Sequence, residues 1–262
     1  MKLFPAKQLL KRQLQLCVAD EGERAACVIP FQNLGQTLRD YLQCRQFQQH
    51  ETEFASKVKQ LQAWQAQRVR HTHAECMHHP LHQRAAQFVL LDAYEQLDML
   101  SLAPQLMRIV RYAERLFPQP LLRIADLSLA INALTAQLDQ AIAEELFEQM
   151  GVVNVLEADY IQAFLAVDGV ACRRQQLSLM VELVHALNRQ ANNSMVLMAF
   201  KLAKAPAYAA GFQSLYSFMA NGLDVLRSLP NAVLVVEQIV SVELTLNDAI
   251  ANGNASALLL QA

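Results

Sequence analysis

From Asn33 to about His79 the chain places Leu38, Tyr41, Leu42, Phe47, Phe54, Val58, Leu61, Trp64 and Val69 at helical intervals. That stripe predicts one long helix, or two parted near Gln49. Pro80 must interrupt it, because the proline ring removes a donor and clashes with the preceding turn, and a new helix is expected over roughly 80–97. A further helix spans about 102–116 and stops at Phe117-Pro118. Beyond it, Leu127, Ile131, Leu134, Leu138, Ile142 and Leu146 lie three or four apart in a run that ends at Gly151, as a helix terminus should. Helices are expected near 157–167, 169–190 and 193–204, with Pro206 opening another that runs toward Leu229. After Pro230, Asn231 is placed to cap a last helix, in which Ala232, Val235, Ile239, Val242 and Leu246 keep helical spacing against a β-branched content that would also suit a strand.

The predicted fold is therefore all-α: a multi-helix bundle of about eight to ten helices. Residues 1–30 read as a basic N-terminal helical arm, with Leu9, Leu10, Leu14 and Leu16 opposite Lys7 and Lys11, and residues 31–262 as one continuous domain. Seven Gly and eight Pro leave few turn positions for a sheet-rich fold. No repeat of fixed period and no Pro/Gly/Ser-rich linker divides the chain. The helices of residues 176–246 are apolar on more than one side, which assigns them to the bundle centre or to a subunit interface, and a homodimer is expected.

With 53% apolar and 18% charged residues, the chain has the balance of a globular protein. Its net charge of −2 is uneven: residues 1–123 carry 16 Lys/Arg against 11 Asp/Glu, and residues 124–262 carry 6 against 13. The basic half is read as solvated surface that faces a protein partner rather than nucleic acid. Five cysteines (Cys17, Cys27, Cys44, Cys76 and Cys172) without a C-x-x-C pair fit reduced thiols in a cytoplasm. The N-terminus lacks the apolar core of a secretion signal, and Glu237 and Glu243 interrupt the best membrane candidate, so no transmembrane segment is expected.

Motifs for chemistry are sparse. No two glycines are close enough for a nucleotide-binding loop, and no serine sits in a nucleophile elbow. Five of the seven histidines fall within residues 71–82, beside Glu75 and Cys76. Glu75-x-x-His78 recurs as Glu182-x-x-His185, the spacing by which two helices of a di-iron bundle each present two ligands on one face. These four residues are the candidate metal ligands. The alternative reading makes the first pair a polar helix end, whose histidines suit the dipole, and His185 a core histidine satisfied by a hydrogen bond. Arg108, Arg111 and Arg115 form a stripe able to grip a phosphate or an acidic surface, or simply a solvated face. Trp64 can anchor helix packing or a partner.

Several stretches together resemble the bacterial FFLEELY-motif proteins. "LQAWQAQRVRHTHAE" is similar to that family's L-Q-x-W-Q-x-x-R followed by T-Y/H-x-D, and in "FVLLDAY" Phe88, Leu90, Asp92 and Tyr94 stand at the first, third, fifth and seventh places of its namesake motif. "LRIADLSLAINALTAQLD", "RRQQLSLM" and "LAKAPAYAAGFQSLYSFMANGLDVLRSL" extend the likeness, which covers about residues 55–250. Val89, Leu91 and Ala93 depart from the motif, and the family's pattern has no histidine at the places of His78 or His185. The resemblance implies an all-helical bacterial cytosolic protein and brings no mechanism with it. On a helix, Asp92 and Tyr94 either belong to a packing seam or line a cleft.

The expectation is a cytoplasmic, self-associating, non-enzymatic interaction or scaffold protein with no cofactor. The alternative is a metal-dependent, di-iron-like helical enzyme built on Glu75, His78, Glu182 and His185.

Overall fold

A computed structural model of the protein describes residues 52–80, 82–88, 119–228 and 231–253, together with Gly35, Leu38, Arg39, Tyr41, Leu42, Met107 and Val110. Among the described residues there are nine α-helices with defined ends and no strand. They are α1 (Thr52–Thr72), α2 (Ala74–His78), α3 (Gln83–Gln87), α4 (Gln119–Ala143), α5 (Glu157–Ala166), α6 (Gly169–Ala191), α7 (Ser194–Ala209), α8 (Gln213–Ser228) and α9 (Ala232–Ala251). The all-helical expectation holds. The N-terminal arm lies outside the described residues.

Helix α4 continues into a π-helical turn, Glu144–Gln149, before the chain leaves it at Gly151, whose φ of +67° is open to glycine without strain. Val152 N–H reaches back to the Leu146 carbonyl at 2.9 Å, the long closing bond of a glycine-terminated helix. Leu127, Leu134, Leu138, Ile142 and Leu146 are buried as their spacing requires, and Ile131 is half-buried. α6 packs along both α4 and α9 and forms the middle of the bundle. The core beside it joins Phe54, Leu61, Ile142 and Leu146 to Phe164 and Ile250. The α5–α6 corner turns on Asp168, in a left-handed conformation, and on Gly169, where an added Cβ would lie 2.6 Å from the Phe164 carbonyl oxygen.

Two local expectations need correction. Pro206 does not open a helix; it sits in the last turn of α7, where it withholds one i→i−4 bond from the Leu202 carbonyl on an exposed stretch, and the break falls at Gly211 with φ of +84°. Asn231 occupies the position before α9 but makes no capping bond with its side chain. The cap that forms is at Asn193, whose Oδ1 accepts from the N–H groups of Met195 (3.1 Å) and Val196 (3.4 Å). Of the two places expected for the apolar helices of residues 176–246, the bundle centre does not apply to α7, none of whose residues is buried.

Among the described residues one helical run, Gln119–Gln149, is long and apolar enough to cross a membrane, and half of its apolar window is buried against other helices.

Candidate functional site

The buried stripe of α1 begins apolar, with Phe54, Val58 and Leu61, and then continues in the same register through Gln65 and Arg68. A helix that buries charge along its core stripe needs partners for it, since isolated ions lose several kcal/mol on leaving water. Glu243 of α9 is that partner. Arg68 donates from Nη1 to Glu243 Oε1, and His73, just past the end of α1, donates from Nε2 to the same oxygen at 2.8 Å. Burial works to raise the Glu243 pKa, but the Arg68 charge and the hydrogen bonds from His73 and Arg68 outweigh it and hold the carboxyl at about 2.

Around this triad lies a second set of polar groups. Arg173 of α6 donates to Gln176 Oε1 at 2.6 Å and hydrogen-bonds Tyr160 of α5. Burial works to lower its pKa, and the fields of Tyr160, Glu243 and Asp139 reverse that and raise it. Gln62 donates to Asp139 Oδ2 at 3.0 Å, and Gln176 in turn donates to Thr135. Trp64 is half-buried with its ring 4.6 Å from that of Tyr160, so it serves helix packing at the edge of the charged centre. Four helices, α1, α4, α6 and α9, thus enclose two arginines and two carboxylates.

The centre joins opposite charges. Its charges offset one another, and neither described cysteine supplies a thiolate: burial, then the nearby Asp168 charge, pushes Cys172 up to about 11, and burial raises Cys76. Sequence reasoning singled out none of Arg68, His73, Asp139, Tyr160 or Arg173 as site residues. The available signal was a charged residue in the apolar register, such as Arg68 seven positions after Leu61.

The candidate metal ligands are dispersed in pairs. Glu182 accepts from Arg123 Nε (2.9 Å) and Nη2 (2.7 Å), while His185 Nε2 bonds Glu237 at 2.8 Å. His78 is exposed and uses Nδ1 on the carbonyl of Ala74 at 2.6 Å; Glu75 is exposed. Among the described residues no three His, Cys, Asp or Glu side chains are grouped to hold a metal ion. Asp92, Tyr94, Arg108, Arg111 and Arg115 lie outside the described residues.

A surface feature stands out against this closed interior. Helix α7 leaves Met195, Met198 and Leu202 exposed by 80%, 62% and 71%. Its inner side is fixed on α8: Phe200 and Tyr216 stack with centroids 4.5 Å apart, and the Tyr216 hydroxyl donates to the Phe200 carbonyl at 3.1 Å. The apolar outer side is therefore held outward on a defined platform.

Together these features define an all-helical bundle with a paired ionic centre and an outward apolar helix. Residues 44–257 match a family described as a domain of unknown function (DUF8198), and the chain belongs to that family. No curated protein and no solved structure matches it.

Proposed function

We propose that the chain is a bacterial, cytoplasmic, non-enzymatic interaction protein that self-associates, with α7 as the docking element. The observation that carries this reading is a helix of 16 residues with none buried and three large apolar side chains in solvent. Contiguous apolar surface of this kind is costly to leave uncovered and marks interaction sites on globular proteins. The ionic centre supports the same reading in that it locks α1 to α9 and so holds the platform on which α7 is presented. The FFLEELY-like segment reads as a packing seam, supported by Phe88, whose ring stacks on Phe218 at 5.2 Å. Light scattering on the full chain tests the proposal. A mass that rises from one chain to two with concentration is expected; a single-chain mass at every concentration overturns it.

A further inference from the structure

Met195, Met198, Leu202, Ala205 and Ala209 follow one another at intervals of three, four, three and four residues, and all five are exposed. That is the a/d seam of a coiled coil, and among the described residues no second helix faces it. The seam is graded in size, with Met, Met and Leu in its N-terminal half and Ala, Ala beside Pro206 in its C-terminal half. A parallel copy would set bulky against bulky at one end and leave Ala against Ala at the other, too wide to close. An antiparallel copy centred between Leu202 and Ala205 sets one large and one small residue in each of its four layers, with Met195 beyond the last of them, and that alternation is the condition for dense packing.

We infer that two copies of this chain pair α7 against α7 in antiparallel fashion about a two-fold axis, with Leu202 packed on Ala205 of the partner subunit and Met198 on Ala209 of the partner subunit. The inference rests on the self-association reading and specifies its surface and register. Three further features favour this arrangement. Antiparallel helices oppose their dipoles. The pairing is isologous and closes at two copies, so it makes no fibre. Lys201 and Tyr208 both occupy the position before an a residue, on one flank of the seam, so antiparallel pairing brings each Lys201 toward Tyr208 of the partner subunit. That ring already receives Lys204 within its own chain, with Nζ 5.6 Å from the centroid. One helix pair covers less than the roughly 800 Å² per partner of a stable complex, so the dimer dissociates on dilution.

The test is disulfide trapping in the full chain with Met198→Cys and Ala209→Cys, both at exposed positions that leave the core untouched, and the unsubstituted chain as the background control. In the antiparallel register the two variants mixed and oxidised form a cross-linked heterodimer. Each variant alone does not, because the same residue in the two copies is offset by 11 positions, about 16 Å along the axis. Efficient cross-linking of Met198→Cys with itself overturns the register while the dimer stands. A dimer by light scattering that none of the mixtures traps moves the interface off α7 and overturns the inference alone. A single-chain mass for the unsubstituted protein overturns both the inference and the self-association reading.

Discussion

Arg68 and Glu243, separated by 175 residues, meet in a buried ion pair that ties α1 to α9 across the bundle. Their side chains are 6% and 12% exposed, so neither charge has water enough to replace its partner. Arg68→Met leaves the Glu243 carboxylate with the His73 hydrogen bond and the more distant Arg173 charge, and is expected to cost about 3–5 kcal/mol. The double substitution Arg68→Met/Glu243→Met removes both ions and should recover most of that loss. Urea unfolding of the two variants checks the order; a single variant as stable as the parent would show that the pair contributes nothing.

The same carboxyl sets an acid dependence. Its folded pKa, about 2, lies below the ordinary value of 4.5, so the folded state favours the ionised form. The stabilisation it supplies is complete above pH 4.5 and is lost as pH falls from there toward 2, amounting to about 3 kcal/mol in all. Glu243→Gln should flatten the fall in stability across that interval while leaving the slope above pH 5 unchanged. Thermal unfolding across that range reads the difference between the two slopes.

Why this centre escaped the periodicity and the helices did not follows from what each depends on. The stripe from Leu127 to Leu146 is a local pattern, so its helix and its stop at Gly151 are legible in the chain. The burial of Arg68, by contrast, depends on α9 arriving opposite α1, which no local spacing encodes. Glu243 in sequence looks like an interruption of an apolar run and in the fold is the counter-ion of another helix. At α7, apolar residues on more than one side are compatible with a central or an interfacial position, and local spacing cannot choose between them. Phe200 packs on Tyr216 and Ala207 against the core, while Met195 and Met198 remain outside. The arm and the Asp92, Tyr94 and arginine-stripe candidates fall outside the described residues.

Two glycines report on tightness of packing. A Cβ at Gly222 would come 2.7 Å from Cζ of Phe88, and one at Gly169 would come 2.6 Å from the Phe164 carbonyl oxygen and 2.5 Å from its ring. The Phe88 ring tip can swing aside, whereas the Phe164 backbone cannot. Gly169→Ala is therefore expected to cost about 2–3 kcal/mol, and Gly222→Ala about 1 kcal/mol or less once the helix-propensity gain of alanine is included. Phe88→Leu should relieve the Gly222→Ala defect, and no substitution at Phe88 should relieve Gly169→Ala. Chemical denaturation of the three single variants and the two pairs with Phe88→Leu distinguishes the two sites.

Metal content gives the sharpest contrast between the interaction reading and a di-iron-like one. For Glu182 and His185 to bind an ion together, Glu182 must release both nitrogens of Arg123, and His185 must release Glu237. Freed Arg123 would then stand as a cation beside the site, still able to reach Asp126 at 3.4 Å and opposing the charge of a bound metal. Protein purified without a histidine tag is accordingly expected to carry only substoichiometric iron, zinc or manganese. Glu182→Gln and His185→Ala should leave that content unchanged, while Glu182→Gln weakens the α4–α6 contact by about 1 kcal/mol, because the Arg123 pair is partly solvated. Elemental analysis decides between the readings: a full equivalent in the parent that disappears in both variants would establish a metal centre on α6.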